Sequence, residues 1–245
     1  MILVIKKIKR KIIKLRKLFT LKYGYLKTRV KLNYKWYGNN YGGFNICPEL
    51  LTENSIVYSF GIGEDISFDI NVIENHNCKV YGFDPTPKSI EWVKRYNIPT
   101  NFIFFEYGIS NKNEFVEFYL PINKDSDISG SLILHKDLSI NDKVIVPMKT
   151  ISTIIYELGH AHIDVLKMDI EGAEYNVIEN ILKTKISINQ ILIEFHGYFS
   201  ENGKNRTKQA IKKLKKNGFE IFAVSETLNE ISFINKNVNR STLLN

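Results

Sequence analysis

The chain has 245 residues and a formal net charge of +8, which is enough length to bury the core of one α/β domain. Residues 1–36 contain 13 Lys and Arg and no Asp or Glu, so the remainder, with 21 basic and 26 acidic residues, has a net charge of −5. An acidic body argues against a nucleic-acid groove. The two cysteines, Cys47 and Cys78, lack metal-ligand spacing and indicate a reducing, cytoplasmic compartment.

Residues 1–20 predict a basic amphipathic helix. One face is apolar at alternating three- and four-residue spacing, through Ile5, Ile8, Ile12, Leu15 and Phe19. Lysines interrupt the run, so it is too charged to span a membrane, and it lacks the small-residue cleavage site of a secretory signal. The helix either docks its apolar face on the body or lies peripherally on an anionic membrane, at its inner face.

Residues 34–44 are rich in aromatic side chains and glycine. This segment is either a lid over a ligand cleft or a packed connecting loop. We therefore divide the chain into an N-terminal extension, residues 1–45, and an α/β domain, residues 46–245.

Residues 55–87 follow the pattern of a nucleotide-binding unit. A short apolar strand at residues 56–60 ends in Gly61-Ile62-Gly63, and a helix is expected from about Asp65. Its candidate apolar positions are Ile66, Ile70, Val72 and Ile73. A second apolar strand then ends at Asp84, about 20 residues after the glycines, where a carboxylate can accept hydrogen bonds from ribose hydroxyls.

The glycine turn suits a cationic cofactor better than a dinucleotide. A dinucleotide fingerprint has a third glycine where this chain has Ile66, and Glu64 and Asp65 would repel a pyrophosphate. The sulfonium of S-adenosylmethionine (SAM) tolerates these carboxylates, although either one can instead favour the start of the helix. The predicted cofactor contacts are Ser59, Gly61, Gly63, Asp65, Asp84, Pro85, Tyr107 and Gly108.

The middle of the chain predicts further strands and helices. Pro87 suits a helix start. Residues 101–108 are expected to form a third buried strand, whose end at Tyr107 and Gly108 lies near the adenine. Strands are also predicted at 115–120 and 143–147, and a helix at 151–158. The polar loop at 125–131 either carries substrate contacts or is structural.

Two later strands end in ionisable groups. The apolar strand 163–168 precedes Asp169, and Glu171 lies in the following turn, before a helix that begins near Ala173. Strand 190–196 ends in Glu194 and His196. Ligands of open α/β sheets bind at the carboxyl ends of strands, and burial of unpaired charge is costly. The predicted catalytic residues are therefore Asp169, Glu171, Glu194 and His196, although Glu171 and Glu174 can also serve as acids at a helix N-terminus.

The sequences "VYSFGIGEDISFD", "VYGFDPTP", "VPMKTISTII", "IDVLKMDIEGAEYNVIENIL" and "ILIEFH" together resemble the FkbM-type family of SAM-dependent methyltransferases. The resemblance extends from about Ile56 to His196. It implies a Rossmann-like class I methyltransferase fold, an α/β structure with a seven-stranded, mostly parallel sheet flanked by helices. A helix at 204–216 and strands at 219–224 and 231–235 would close this sheet with a hairpin. SAM would lie over Gly61, Gly63 and Asp84, and a hydroxyl of a sugar, glycan or natural product would be methylated.

Methylation of a hydroxyl requires a group that takes its proton. His196, which ordinarily titrates near neutral pH, and Asp169 are the two candidates. Alternatively, Asp169 and Glu194 would suit Mg²⁺, a hard cation that lowers the pKa of a bound hydroxyl.

Three other functions are weighed against this reading. The missing third glycine argues against an NAD-binding oxidoreductase. A nucleic-acid amino-methyltransferase would show an Asn/Asp-Pro-Pro-aromatic sequence where this chain has Asp169-Ile170-Glu171-Gly172. A non-catalytic membrane-surface adaptor built on the same fold stays open, although intact strand-end carboxylates argue against it.

Overall fold

A computed structural model describes residues 23–122, 130–131 and 138–238. The basic helix predicted at 1–20 and most of the polar loop predicted at 125–131 lie outside the described residues.

The described residues form an α/β structure. Its strands are, in chain order, β1 (Lys35–Tyr37), β2 (Phe44–Ile46), β3 (Ile56–Phe60), β4 (Lys79–Phe83), β5 (Phe102–Phe105), β6 (Gly108–Ile109), β7 (Glu114–Pro121), β8 (Leu138–Lys149), β9 (His162–Met168), β10 (Ser187–Glu194), β11 (Phe219–Val224) and β12 (Glu230–Asn235). Its α-helices are α1 (Ser67–His76), α2 (Pro87–Arg95), α3 (Ile151–Leu158), α4 (Glu174–Lys183) and α5 (Gly203–Lys216). No helix among these residues is both long and apolar enough to cross a bilayer.

Seven strands form the main sheet in the order β11-β12-β10-β9-β3-β4-β5. The pairs from β10 through β5 are parallel, whereas β12 runs antiparallel to both of its neighbours. This is the mostly parallel sheet expected of the class I methyltransferase fold, and the hairpin predicted at its end is present as β11 and β12. The fold class predicted from the sequence is confirmed.

Apolar layers cover both faces of the main sheet because strand residues alternate in direction. Tyr58 and Phe60 of β3 pack in the core that contains residues of α3, α4 and α5. Val57 of the same strand packs in the opposite core, with residues of β2, α1 and α2. Among the described residues, the sheet is therefore the middle of three layers, and the ends of its strands are left uncovered by the two apolar layers.

Local chemistry fixes where the helices begin and end. Thr150 caps α3 by accepting a hydrogen bond from the Thr153 amide, and Gly159 ends it with a φ of 69°. Pro87 is the first residue of α2. Helix α1 begins at Ser67 rather than at Asp65 because the Asp65 carboxylate accepts a hydrogen bond from the Ser67 amide ahead of the first turn.

The strand predicted at 101–108 is wrong in one respect. Phe102–Phe105 belongs to the main sheet as β5, but Gly108–Ile109 pairs with β8 in a separate three-stranded sheet, β6-β8-β7. Glu106 lies between the two segments at the surface, where it forms an ion pair with Lys94. The chain leaves the main sheet at this point. The strands predicted at 115–120 and 143–147 are present in the small sheet as parts of β7 and β8.

The segment at 34–44 forms a hairpin of β1 and β2 that packs on the body. The Gln190 side chain exchanges two hydrogen bonds with the backbone of Cys47, and Ser232 donates to the Asn45 carbonyl. The turn of the hairpin, residues 39–42, extends to the carboxyl ends of the strands. The domain boundary predicted after residue 45 stays a prediction.

Candidate functional site

A cleft of about 1340 Å³ lies at the carboxyl ends of β3, β4, β9 and β10. Strand β3 has β4 on one side and β9 on the other, so the chain winds away from β3 in both directions. Ligands of open α/β sheets bind where the strand order reverses in this way. The fold therefore places the cleft between the two stretches that carry the predicted site residues.

The glycine turn after β3 forms one wall of the cleft. Gly61 has a φ of +78°, and a Cβ atom there would lie 1.7 Å from the Asp169 carbonyl oxygen. Gly63 has a φ of +55°, but a Cβ atom at this position would meet no atom within 4 Å. Of these two glycines, only Gly61 is required for close backbone packing. Its missing side chain allows the end of β9 to lie against the glycine turn.

Asp84 holds this turn in place from the end of β4. Its Oδ2 accepts hydrogen bonds from the amides of Ile62 (3.0 Å) and Gly63 (2.9 Å). Its Oδ1 accepts from the amide (2.9 Å) and the hydroxyl (2.6 Å) of Thr86. Asp84 is buried, and these four contacts satisfy both of its oxygens.

A buried polar group lies beneath the same turn. The Lys167 ammonium, on β9, donates a hydrogen bond to the Gly61 carbonyl at 2.9 Å. Ser59 and Asp69 are buried on this side of the sheet. Burial raises the pKa of Asp69, while the positive charge of Lys167 acts in the opposite direction. Lys167 therefore supports the turn and offsets the charge of Asp69 in an otherwise apolar layer.

Asp65 links the N-terminal hairpin to the start of α1. Its Oδ2 accepts a hydrogen bond from the Asn39 side chain at 2.8 Å, and its carboxylate also accepts from the amide and hydroxyl of Ser67. Glu64 forms an exposed ion pair with Lys88. The contacts of Asp65 match the helix-start role that the sequence left open for it.

The opposite wall of the cleft carries a buried histidine held by a buried glutamate. Nδ1 of His196 lies 2.7 Å from Oε1 of Glu174, which also accepts a hydrogen bond from the Gly172 amide at 2.9 Å. A carboxylate has no hydrogen to donate, so it accepts from Nδ1 as it does from the amide. Nδ1 therefore carries its hydrogen, and the imidazole is oriented with Nε2 toward the cleft.

Three more carboxylates surround Nε2 of His196. The distances from Nε2 are 3.3 Å to Glu171, 3.6 Å to Asp169 and 3.9 Å to Glu194. The turn that presents Glu171 has a positive φ at Glu171 (51°) and at Gly172 (97°). The two strand ends thus bring all four predicted catalytic residues together, as the sequence predicts.

Burial and charge shift the acid–base properties of this cluster. Burial by itself lowers the pKa of His196, but the hydrogen bond to Glu174 and the charges of Glu174, Glu171 and Asp169 outweigh it and raise that pKa to about 10. Burial and the charge of Asp169 raise the pKa of Glu194 to about 8. The expectation that His196 titrates near neutral pH is wrong, because the sequence did not reveal how many carboxylates face the imidazole.

Most predicted cofactor contacts line the cleft. They are Gly61, Gly63, Asp65, Asp84, Pro85 and Gly108. Two others are placed elsewhere: Ser59 is buried beneath the glycine turn, and Tyr107 packs against Phe83 and Phe105 with the Lys149 ammonium over its ring. Whether a residue lines the cleft depends on the direction of its side chain along the strand or turn. An apolar run without clear alternation does not reveal that direction.

Lys167 and Glu174 shape the site but are not assigned to it by the sequence analysis. Lys167 interrupts the apolar run of β9, and a lysine inside a buried strand is an available signal. Glu174 was interpreted only as an acid at a helix N-terminus, yet its carboxylate orients His196. No sequence spacing pairs Glu174 with His196, because they meet only when α4 packs beside β10.

Comparison with curated proteins finds methyltransferase-like relatives. The chain is 27% identical over 157 residues to the human "Probable methyltransferase-like protein 24", a match that covers 62% of this chain and 36% of the human protein. It is 23% identical over 198 residues to the protein of the same name from Rattus norvegicus, covering 76% of this chain and 47% of the rat protein. The chain thus spans less than half the length of these curated relatives.

Solved structures that align with part of this chain include proteins described as methyltransferases. A methyltransferase FkbM from Methylobacillus flagellatus KT aligns with a TM-score of 0.46 and 11% identity, over 75% of this chain and 44% of that one. A putative methyltransferase from Streptococcus mutans, in complex with SAH, aligns with a TM-score of 0.41 and 14% identity, over 76% of this chain and 90% of that one. The family model described as the methyltransferase FkbM domain matches residues 43–221. The chain therefore belongs to the FkbM methyltransferase family, as its sequence resemblance predicted.

Proposed function

We propose that this protein is a SAM-dependent O-methyltransferase that acts on a hydroxyl of a sugar, a glycan or a glycosylated metabolite. The observation that carries the proposal is that the glycine turn and the His196 cluster face each other across one cleft. A turn that receives a cofactor and a group of proton acceptors are the two parts that this reaction needs. Membership of the FkbM family supports methyl transfer. The class of acceptor is the part of the proposal that family membership does not provide.

The cofactor end of the cleft suits a cation. Asp65 and Asp84 line it, together with Glu64 in its ion pair with Lys88, so a pyrophosphate would meet an excess of negative charge. The sulfonium and ammonium groups of SAM instead gain from it. Ile66 is the residue before α1 and stands at the position of the missing third glycine. It is buried, and its side chain occupies the space that a glycine would leave for a dinucleotide site.

Glu194 takes the proton of the acceptor hydroxyl as the oxygen attacks the methyl carbon. The bond between sulfur and the methyl group breaks as the bond to oxygen forms, and the proton passes from the hydroxyl to the carboxylate. Among the three carboxylates around Nε2, Glu194 lies farthest from it, at 3.9 Å, so its oxygens are the least engaged by the imidazole. Asp169, Glu171 and His196 position the acceptor, since proximity and orientation are the other contribution of the protein.

The acceptor side of the cleft combines an aromatic ring with polar groups. Tyr198 is 62% exposed and its ring lies 5.6 Å from that of His196. Thr227 and Asn229 line the same region. An aromatic face packs against the C–H groups of a sugar ring, and polar side chains bond its hydroxyls, so this lining favours a carbohydrate over an apolar acceptor.

The first experiment is calorimetric titration of the purified protein with SAM and, separately, with NAD. We expect SAM to bind and NAD not to bind. Asp84→Ala and the isosteric Asp84→Asn should each weaken SAM binding at least tenfold, with circular dichroism as the check that both variants fold. Heat with NAD alone would refute the methyltransferase proposal, and silence with both cofactors would favour the non-catalytic adaptor.

The second experiment measures methyl transfer from labelled SAM to a panel of sugar acceptors. Glu194→Gln should lower kcat by about 10²–10⁴-fold, the usual contribution of a general base. Its affinity for SAM should not change. Glu117→Gln, an exposed carboxylate of the small sheet paired with Lys143, is the matched control and should keep full activity. Full activity in Glu194→Gln would remove Glu194 from this role.

A further inference from the structure

We propose that Asp169, Glu171 and His196 bind a divalent transition-metal ion of the Mn²⁺ type at the carboxyl ends of β9 and β10. The binding of the ion stands on geometry alone. Its role in catalysis rests on the proposed function. The inference differs from the Mg²⁺ pair of Asp169 and Glu194 expected from the sequence, because it adds a nitrogen ligand and leaves Glu194 free.

The distances fit a shared central ion. One ligand atom from each of the three residues lies within 4.8 Å of the other two. Nε2 of His196 is 3.3 Å from Glu171 and 3.6 Å from Asp169. Metal–ligand bonds of about 2.1 Å place neighbouring octahedral ligands about 3.0 Å apart and opposite ligands about 4.2 Å apart. Small side-chain rotations therefore suffice to bring all three atoms onto one ion.

His196 is buried and has one ring nitrogen fixed by a carboxylate, as is common for a metal-binding histidine. His196 is only 4% exposed, and its Nδ1 is fixed by Glu174. Within the described residues, Nε2 forms no hydrogen bond, although three carboxylates lie within 4 Å of it. A carboxylate on one imidazole nitrogen commonly orients the other nitrogen toward a metal.

A second histidine of the chain shows the contrast. Nδ1 of His160 lies 2.6 Å from the hydroxyl of Tyr58, and its Nε2 lies 3.2 Å from the hydroxyl of Tyr81. Both nitrogens of His160 thus have ordinary hydrogen-bond partners, as expected of a structural histidine. His196 uses one nitrogen in this way and directs the other into a group of acids.

The charges of the cluster favour a cation at its centre. Asp169, Glu171, Glu174 and Glu194 surround one imidazole, so within this group negative charge exceeds positive charge even when His196 is protonated. A proton on Nε2 and a metal ion compete for the same position. A divalent ion offsets more of the negative charge than a proton does.

The ligand set selects the kind of ion. Mg²⁺ and Ca²⁺ prefer oxygen ligands alone, whereas an imidazole suits first-row transition metals and carboxylates suit Mn²⁺. Two carboxylates with one imidazole therefore favour Mn²⁺ over Mg²⁺. An ion at this place would bind the acceptor oxygen and make its proton easier to remove, and Glu194 would receive that proton.

The test is an electron paramagnetic resonance titration of metal-free protein with Mn²⁺, in the absence of SAM. We expect one Mn²⁺ per chain, retained in a tenfold excess of Mg²⁺. Glu171→Gln and His196→Gln should each weaken binding by at least about tenfold, since even the partners of metal ligands contribute 10–100-fold. Glu117→Gln should bind as the native protein does. No binding, or equal binding by all variants, would overturn the proposal.

A measurement on the native protein removes any dependence on how the variants fold. Pulsed electron paramagnetic resonance of the Mn²⁺ complex should detect a ¹⁴N coupling from a directly bound imidazole. A bound ion without this coupling would exclude His196 as a ligand and overturn the site. Bound Mn²⁺ with the coupling, in a protein that neither binds SAM nor transfers methyl groups, would support the site and refute the proposed function instead.

Discussion

Gly61 and Gly63 share a left-handed backbone but differ in what surrounds them. The Asp169 carbonyl lies against Gly61, whereas the position of a Cβ at Gly63 is open. The first glycine therefore joins two strand ends, and the second only allows a turn. A sequence with two glycines in one turn does not distinguish these roles, because the difference lies in a strand that follows about 100 residues later.

This difference predicts unequal effects of two alanine substitutions. Gly61→Ala should unfold the protein or cost well over 3 kcal/mol, because an overlap with backbone atoms requires β3 and β9 to separate. Gly63→Ala should cost only about 1–2 kcal/mol, the strain of a left-handed alanine. Urea unfolding of both variants measures this, with circular dichroism of the native state as control. Equal losses would contradict the assignment.

Lys167 acts on both the glycine turn and the buried carboxylate of Asp69. We expect Lys167→Met to destabilise the protein by about 2–4 kcal/mol, because it removes the donor to Gly61 and leaves Asp69 without its nearby positive charge. Lys167→Met combined with Asp69→Asn should recover part of this loss.

A double-mutant cycle measured by urea unfolding tests the coupling between Lys167 and Asp69. Strict additivity of the two single changes would show that the residues act independently. The exposed Lys143, paired with Glu117, provides the control: Lys143→Met should change stability by less than about 0.5 kcal/mol.

At the scale of elements, the Gln190 side chain makes two of the hydrogen bonds that attach the N-terminal hairpin to the main sheet. Gln190 of β10 accepts a hydrogen bond from the Cys47 amide at 2.8 Å and donates one to the Cys47 carbonyl at 3.1 Å. Cys47 directly follows β2, and the turn of the same hairpin lines the cleft. The hairpin is thus both a packed connection and part of the wall, so the two interpretations of residues 34–44 do not exclude each other.

Gln190→Leu should therefore destabilise the protein by about 2–4 kcal/mol, because it leaves a buried amide and a buried carbonyl without partners. Asn33→Ala, which removes an exposed hydrogen bond to Glu49 in the same part of the chain, should change stability by less than about 0.5 kcal/mol. Thermal unfolding of both variants measures the difference. A loss in Gln190→Leu as small as that in Asn33→Ala would show that the two Gln190 hydrogen bonds do not hold the hairpin in place.

At the scale of the whole molecule, the reactivity of the two cysteines measures how often one of the two apolar layers on the main sheet opens. Cys47 and Cys78 are fully buried in the layer that contains α1, α2 and the hairpin. Burial raises the pKa of each thiol to about 11. At pH 8 both thiols are therefore protonated as well as inaccessible, and a thiolate is the species that reacts.

Native protein should then react with a thiol reagent at pH 8 only as fast as it opens, and both thiols should react at once in urea above the unfolding transition. Absorbance of the released thiol chromophore follows the reaction. The protein in urea just below the transition is the control and should react at an intermediate rate. Rapid reaction of both native thiols would show that this layer opens far below the global unfolding free energy.

The sequence by itself determined the family, the seven-stranded sheet and the positions of most strands. These depend on local signals: apolar runs of strand length, a glycine turn, and carboxylates placed just after strands. It also placed Asp169, Glu171, Glu194 and His196 in one site, because parallel strands that end together bring their last residues to one edge.

Only the tertiary structure decided what those residues do to one another. Glu174 reaches His196 because α4 packs beside β10, and Lys167 reaches Gly61 because β9 pairs with β3. The same packing turns Ser59 and Tyr107 away from the cleft and makes β6 part of a second sheet. Side-chain direction, burial and the sum of nearby charges depend on elements distant in sequence, so the number of carboxylates that face His196 and the raised pKa that they cause emerge only when the chain is folded.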